Sequence, residues 1–79
     1  MTRLDIKREE YYSPSVLMAN NIFPWIQSTM TLMALIKSDK GKELFKPIVK
    51  TGPKSVRYYI KGKNVLKVLE LADSGQLEI

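Results

Sequence analysis

Between Lys46 and Lys67 the chain carries seven cations, Lys46, Lys50, Lys54, Arg57, Lys61, Lys63 and Lys67, and no carboxylate. A stretch of one sign inside an otherwise ordered pattern is the footprint of a surface that faces phosphates. The same residues also suit a solvated lysine-rich face, and charge by itself leaves both open. Tyr58 and Tyr59 lie in the middle of this stretch. Successive residues of a strand point to opposite faces, so one tyrosine is expected buried and the other exposed. Tyr59 shares its face with Arg57 and Lys61, where its hydroxyl would hydrogen-bond a phosphate or serve as an ordinary strand residue.

Covalent chemistry has little to work with. There is no histidine and no cysteine, and the eight carboxylates are scattered, mostly beside lysine or arginine. No glycine-rich phosphate loop is present, and the usual zinc ligands are missing. The expectation is a protein that binds rather than one that catalyses, with no metal and no small-molecule cofactor.

The elements that must position the basic stretch follow from local pattern. Ser13-Pro14 is a helix start, because the serine oxygen can accept an orphan N–H and proline fits the first helical position. A short helix is expected over 14–20, with Val16, Leu17 and Ala19 inward, ended by Asn20-Asn21. Ile22-Phe23-Pro24-Trp25-Ile26 reads as an apolar turn, since Pro24 biases Phe23 away from helical geometry. Phe23 and Trp25 are candidates for a partner-binding anchor and, alternatively, for the core. Ser28 or Thr29 can cap a second helix in which Leu32, Leu35 and Ile36 recur at helical spacing, running to about Asp39 with Lys40-Gly41 as its stop.

The period then changes. Residues 47–50 and 56–60 are short, β-branched and aromatic, and they flank the turn composition Thr51-Gly52-Pro53-Lys54-Ser55. This is a hairpin with a basic tip, with Val56, Tyr58 and Ile60 on one face. From Lys63 the pattern is helical again, with Val65, Val68, Leu69 and Ala72 forming a stripe that Asp73-Ser74-Gly75 closes. Residues 1–10 show no apolar period and read as an arm or a first turn of helix. Residues 74–79 read as a tail, leaving one ordered domain over 11–73.

Bulk properties agree with one small domain. Seventy-nine residues bury only about 60% of their unfolded surface, so stability must come from one modest core. The apolar fraction of 44% argues against wholesale disorder. The longest apolar run, Met30 to Ile36 broken by Thr31, is far below the roughly 20 residues of a membrane span. The mixed charges of the first ten residues are unlike a signal peptide. A cytoplasmic protein without membrane contact is the expectation.

Two stretches carry a resemblance. Tyr12-Ser13-Pro14-Ser15-Val16-Leu17-Met18-Ala19 and Arg57-Tyr58-Tyr59-Ile60-Lys61-Gly62-Lys63-Asn64-Val65-Leu66-Lys67-Val68-Leu69 resemble the opening and ending of excisionase-like domains of the MerR superfamily. The likeness covers about residues 11–70. It implies a mainly α fold with a small β-hairpin wing, the winged helix-turn-helix, in which the second helix enters the major groove of double-stranded DNA. Aligning Thr31-Leu32 with the family's Thr-aliphatic pair puts Ser28, Thr29, Met30, Met33, Ala34 and Lys37 outward or near the groove. Of these, Ser28, Thr29, Met33 and Lys37 are the base-facing candidates, against the alternatives that Ser28 or Thr29 caps the helix and Met33 packs in the core. Lys50, Lys54 and Arg57 of the wing would meet the phosphate backbone or the adjacent minor groove, with Tyr59 beside them as a phosphate contact.

The resemblance departs in one respect. The second helix holds a single cation, Lys37, so bidentate arginine–guanine contact is not available from it. The implied roles are transcription regulation or DNA recombination in a bacterium, phage or mobile element, with homodimers or cooperative arrays supplying affinity. The rival expectation is a protein–protein interaction module on the same scaffold, with a protein partner and little or no DNA binding.

Overall fold

The computed structural model describes residues 2–77. Met1, at the start of the expected arm, and Glu78 and Ile79, at the end of the expected tail, lie outside the described residues. The elements in order are a 3-10 turn at Arg3–Asp5, strand β1 (Tyr11–Tyr12), helices α1 (Pro14–Ala19), α2 (Thr29–Lys37) and α3 (Asp39–Phe45), strands β2 (Ile48–Thr51) and β3 (Val56–Lys61), and helix α4 (Gly62–Asp73). The strands form one antiparallel sheet in the order β1-β3-β2. The described residues therefore form a small α+β fold of four α-helices and a three-stranded sheet, more than the expected mainly α chain with a lone hairpin.

Helix starts follow the serines. The Ser13 hydroxyl accepts the Val16 N–H at 3.3 Å with Pro14 at the first helical position, and Ser28 accepts the Thr31 N–H at 3.1 Å. Asn21 takes the left-handed conformation after α1, with φ 52°. The face of α1 differs from expectation: Leu17 is fully buried, but Val16 and Ala19 are exposed. A six-residue helix has fewer than two turns, so only one row of side chains reaches the core.

The corner after α2 also differs. The second helix ends at Lys37, and Lys40-Gly41, expected as its stop, lies inside α3. Ser38 terminates one helix and caps the next. Its extended backbone (ψ 159°) breaks the ladder, its hydroxyl donates to the Leu35 carbonyl at 2.6 Å, and the same oxygen accepts the Gly41 N–H at 3.0 Å. Glycine is required at 41 because a Cβ there would sit 1.6 Å from the Leu35 carbonyl oxygen. The residue marks close approach of two helices rather than the end of one.

One core gathers the inner faces. Leu17, Phe23, Leu32, Ile36, Phe45, Ile60, Val65 and Val68 are fully buried, with Phe23 and Phe45 packed edge to face at 5.8 Å between ring centres. Burying such side chains contributes about 1.5–3 kcal/mol each, the term that offsets chain entropy here. Phe23 takes the core role of its pair. Trp25 lies edge-on against it at 5.5 Å but stays 41% exposed. Helix α4 buries Val65, Val68 and Leu69, the centre of the stripe expected from its sequence.

Residues 2–10 are docked on the domain. Ile6 is buried, the Gly62 N–H donates to the Glu10 carbonyl at 2.7 Å, and the Lys63 N–H donates to the Arg8 carbonyl at 3.1 Å. The buried Tyr12 fixes the entry to β1 through its hydroxyl, which accepts the Lys7 N–H at 2.9 Å. Asp5 closes the 3-10 turn by accepting the Thr2 backbone N–H at 2.7 Å, and that bond holds its carboxyl below the usual range. Among the described residues no helix is long and apolar enough to cross a membrane.

Candidate nucleic-acid interface

The hairpin positions the basic residues. Its strands pair Ile48 with Tyr59, Val49 with Tyr58, Lys50 with Arg57 and Thr51 with Val56, and the Gly52 N–H donates to the Ser55 carbonyl at 2.8 Å to close the turn. With a side-chain period of two, Ile48, Lys50, Arg57, Tyr59 and Lys61 share the outer face, while Val49, Val56, Tyr58 and Ile60 turn toward the helices. Burial grades along β3 toward its C-terminal end: Val56 is 53% exposed, Tyr58 and Tyr59 are both half-buried, and Ile60 is fully buried. The expected split of one buried and one exposed tyrosine does not hold. Tyr58 lies near the rim of the helical layer, and the Lys50 ammonium lies over the ring of Tyr59, 5.2 Å from its centre.

Helix α2 presents Thr29, Met30, Thr31, Ala34 and Lys37 outward, and Met30 is 84% exposed. The Ser28 oxygen is engaged in capping, since it accepts the Thr31 N–H and also lies 2.9 Å from the Thr31 hydroxyl. Met33 has a double placement: half-buried against the core, it also reaches the surface.

Two of the clefts among the described residues hold candidate side chains. The first, of about 530 Å³, is lined by Ser13, Pro14 and Ser15 at the start of α1, Thr29 and Met33 of α2, and Val56 to Tyr59 of β3. Four of the sequence candidates, Thr29, Met33, Arg57 and Tyr59, are thus brought together although up to thirty positions separate them. Helix α1 takes the place beside β3 that a longer β1 would have occupied, because β1 pairs only with Ile60 and Lys61. Lys54, at the hairpin tip, and Lys50, on the outer face, line neither cleft.

Lys37 belongs to the second cleft, of about 500 Å³, with its ammonium 5.4 Å from the centre of the Tyr58 ring. Its other walls are Lys42 and Lys46 of α3 and its C-cap, together with Ile36, Pro47 and Val49. Lys42 is a site residue that sequence reading did not single out, and Lys46 was visible there only as one member of the basic stretch. No local signal singles out Lys42, because its place in the cleft depends on residues 39–45 being helical and on the left-handed turn at Lys46 that brings the hairpin beside them.

The geometry offers two exposed elements, a helix and a basic hairpin, on either side of a shallow cleft without a carboxylate in its lining. That arrangement can neutralise phosphates and place small polar and apolar side chains against a ligand between them. No protein-family model, curated protein or solved structure matches this chain.

Proposed function

We propose that this chain binds double-stranded DNA as a winged helix-turn-helix module, with α1, the connector and α2 as the helix-turn-helix and β2–β3 as the wing. The observation that carries the reading is the shared cleft: Thr29 and Met33 of α2 line the same cleft as Arg57 and Tyr59 of β3. A helix laid in the major groove would then bring the hairpin onto the flanking backbone. Lys50, Lys54 and Arg57 supply salt-dependent affinity there and little base information. With Ser28 engaged as a cap and Lys37 turned toward Tyr58, base contacts fall to Thr29 and Met33, with Met30 available to touch a thymine methyl. Few contacts per copy favour pairs or arrays on repeated sites, as a regulator of transcription or recombination would use.

The test is fluorescence anisotropy on a labelled random duplex across a salt series. About three to six phosphate contacts give a slope of log affinity against log salt of roughly −3 to −5. The double variant Lys54→Glu/Arg57→Glu should abolish binding. Absence of binding by the native chain at low salt would sink the reading. A protein-interaction role on the same scaffold is favoured by the exposure of Met30 and Trp25; under it, the same double variant leaves the partner's affinity intact.

A further inference from the structure

The second cleft has a chemistry of its own. Lys37, Lys42 and Lys46 line it together with Ile36, Pro47, Val49 and Tyr58, and no carboxylate is among the lining residues. Among the described residues none of the three lysines is held in an ion pair. Cations interleaved with apolar side chains in one lining suit the alternation of phosphate and deoxyribose along a nucleic-acid strand. Phosphates take the ammonium groups as point charges, while a sugar ring packs on apolar side chains.

The backbone of Lys46 supplies a second observation. It caps α3 in the left-handed conformation, φ 46° and ψ 55°, a position where glycine is usual and asparagine next, because a Cβ is strained there. Local stability therefore disfavours lysine at this position. The turn it makes carries the chain from α3 directly into Pro47 and β2, so residue 46 stands at the junction of the helix and the hairpin and lines the cleft.

We propose that α3 and its left-handed cap form a binding site for the sugar–phosphate backbone of one DNA strand, with Lys42 and Lys46 joining Lys37 as phosphate contacts. The proposal rests on the duplex-binding reading and adds a third element to it beyond the α2 helix and the wing. The site positions the duplex and contributes no base reading, so its removal weakens all sequences alike.

The experiment repeats the salt series on the labelled random duplex with three variants and follows each by thermal melting. Lys42→Gln/Lys46→Gln should lower the magnitude of the slope by about 1.8, or about 0.9 for each phosphate that is no longer neutralised. Lys46→Gly should lower it by about 0.9 while the melting temperature holds or rises, because glycine relieves the left-handed backbone. The charge-matched pair Lys63→Gln/Lys67→Gln, whose side chains line neither cleft, should leave the slope unchanged. An unaltered slope in the first variant, or an equal reduction in the charge-matched pair, overturns the site while the duplex reading stands. A fall in melting temperature for Lys46→Gly overturns the argument from its backbone. Failure of the native chain to bind the duplex brings down both.

Discussion

The helical body and the hairpin are held together by different physics. In the body, nearly every inward side chain is excluded from water, and the close approach of α2 and α3 is tight enough to demand glycine at 41. In the hairpin, all four residues of β2 are exposed, Val49 at 49%, and order comes from the ladder with β3 and the short turn. The body is specified by packing, so its residues are constrained by volume. The hairpin is specified by backbone pairing, so its side chains are free to be charged. Charges on the hairpin cost little stability, whereas buried in the body they would cost several kcal/mol each.

Several substitutions test this contrast. Phe45→Ala removes a fully buried ring that packs against Phe23 and should destabilise the domain by about 3–5 kcal/mol, read as a lower denaturation midpoint. Since small domains are stable by only about 5–15 kcal/mol, partial unfolding at ambient temperature is the expected outcome. A change below about 1 kcal/mol would mean the body is less tightly packed than its burial indicates. Gly41→Ala comes next. Its Cβ cannot coexist with the Leu35 carbonyl, so the α2–α3 corner must shift, at about 1–3 kcal/mol by analogy with overpacked cores. Ser38→Ala removes the cap shared at that corner and should cost about 1 kcal/mol.

Hairpin changes should be much smaller in stability. Val49→Thr should stay within about 0.5 kcal/mol of the native chain, as exposed sites generally do. Lys54→Glu/Arg57→Glu should be similarly mild for folding while abolishing duplex binding. A large drop in stability in that double variant would erase the distinction between the two regions. The smallest effect concerns the docked N-terminal segment. The Asp5 carboxyl is held below its ordinary range by the Thr2 N–H, so its contribution is present above about pH 4 and fades as pH falls through the lowered folded value. Asp5→Asn should therefore slightly flatten the acid side of the stability profile, measured as melting temperature against pH.

The part of the fold that was legible in the sequence is the part with local signals. Ser13-Pro14, the period of Leu32 and Ile36, the alternation through Ile60 and the stripe of Val65, Val68 and Leu69 each identify an element from neighbouring residues alone. The elements that escaped have weak or ambiguous local signals. A two-residue strand such as β1 has no period to detect. Helix α3 opens with a serine cap but has glycine at its third position, and glycine in sequence reads equally as a stop or as a site of close packing. The docking of residues 2–10 depends on Ile6, one apolar residue among charges, whose burial only the rest of the fold can reveal.

The same division runs through the candidate site. The sequence by itself determined that this is a chain without histidine or cysteine, with a concentrated basic stretch, a hairpin that carries part of it and a second helix poor in cations. These are properties of composition and of short-range period, and they do not depend on how the elements pack. Only the tertiary structure decided that Thr29 and Met33 share a cleft with Arg57 and Tyr59, that Lys37 turns instead toward Tyr58, and that Lys42 and Lys46 join it. Those groupings arise from which apolar faces bury against one another, and burial is a contest among all the elements at once. A residue's neighbours along the chain determine its local conformation, but the packing of the core determines which distant residue it meets.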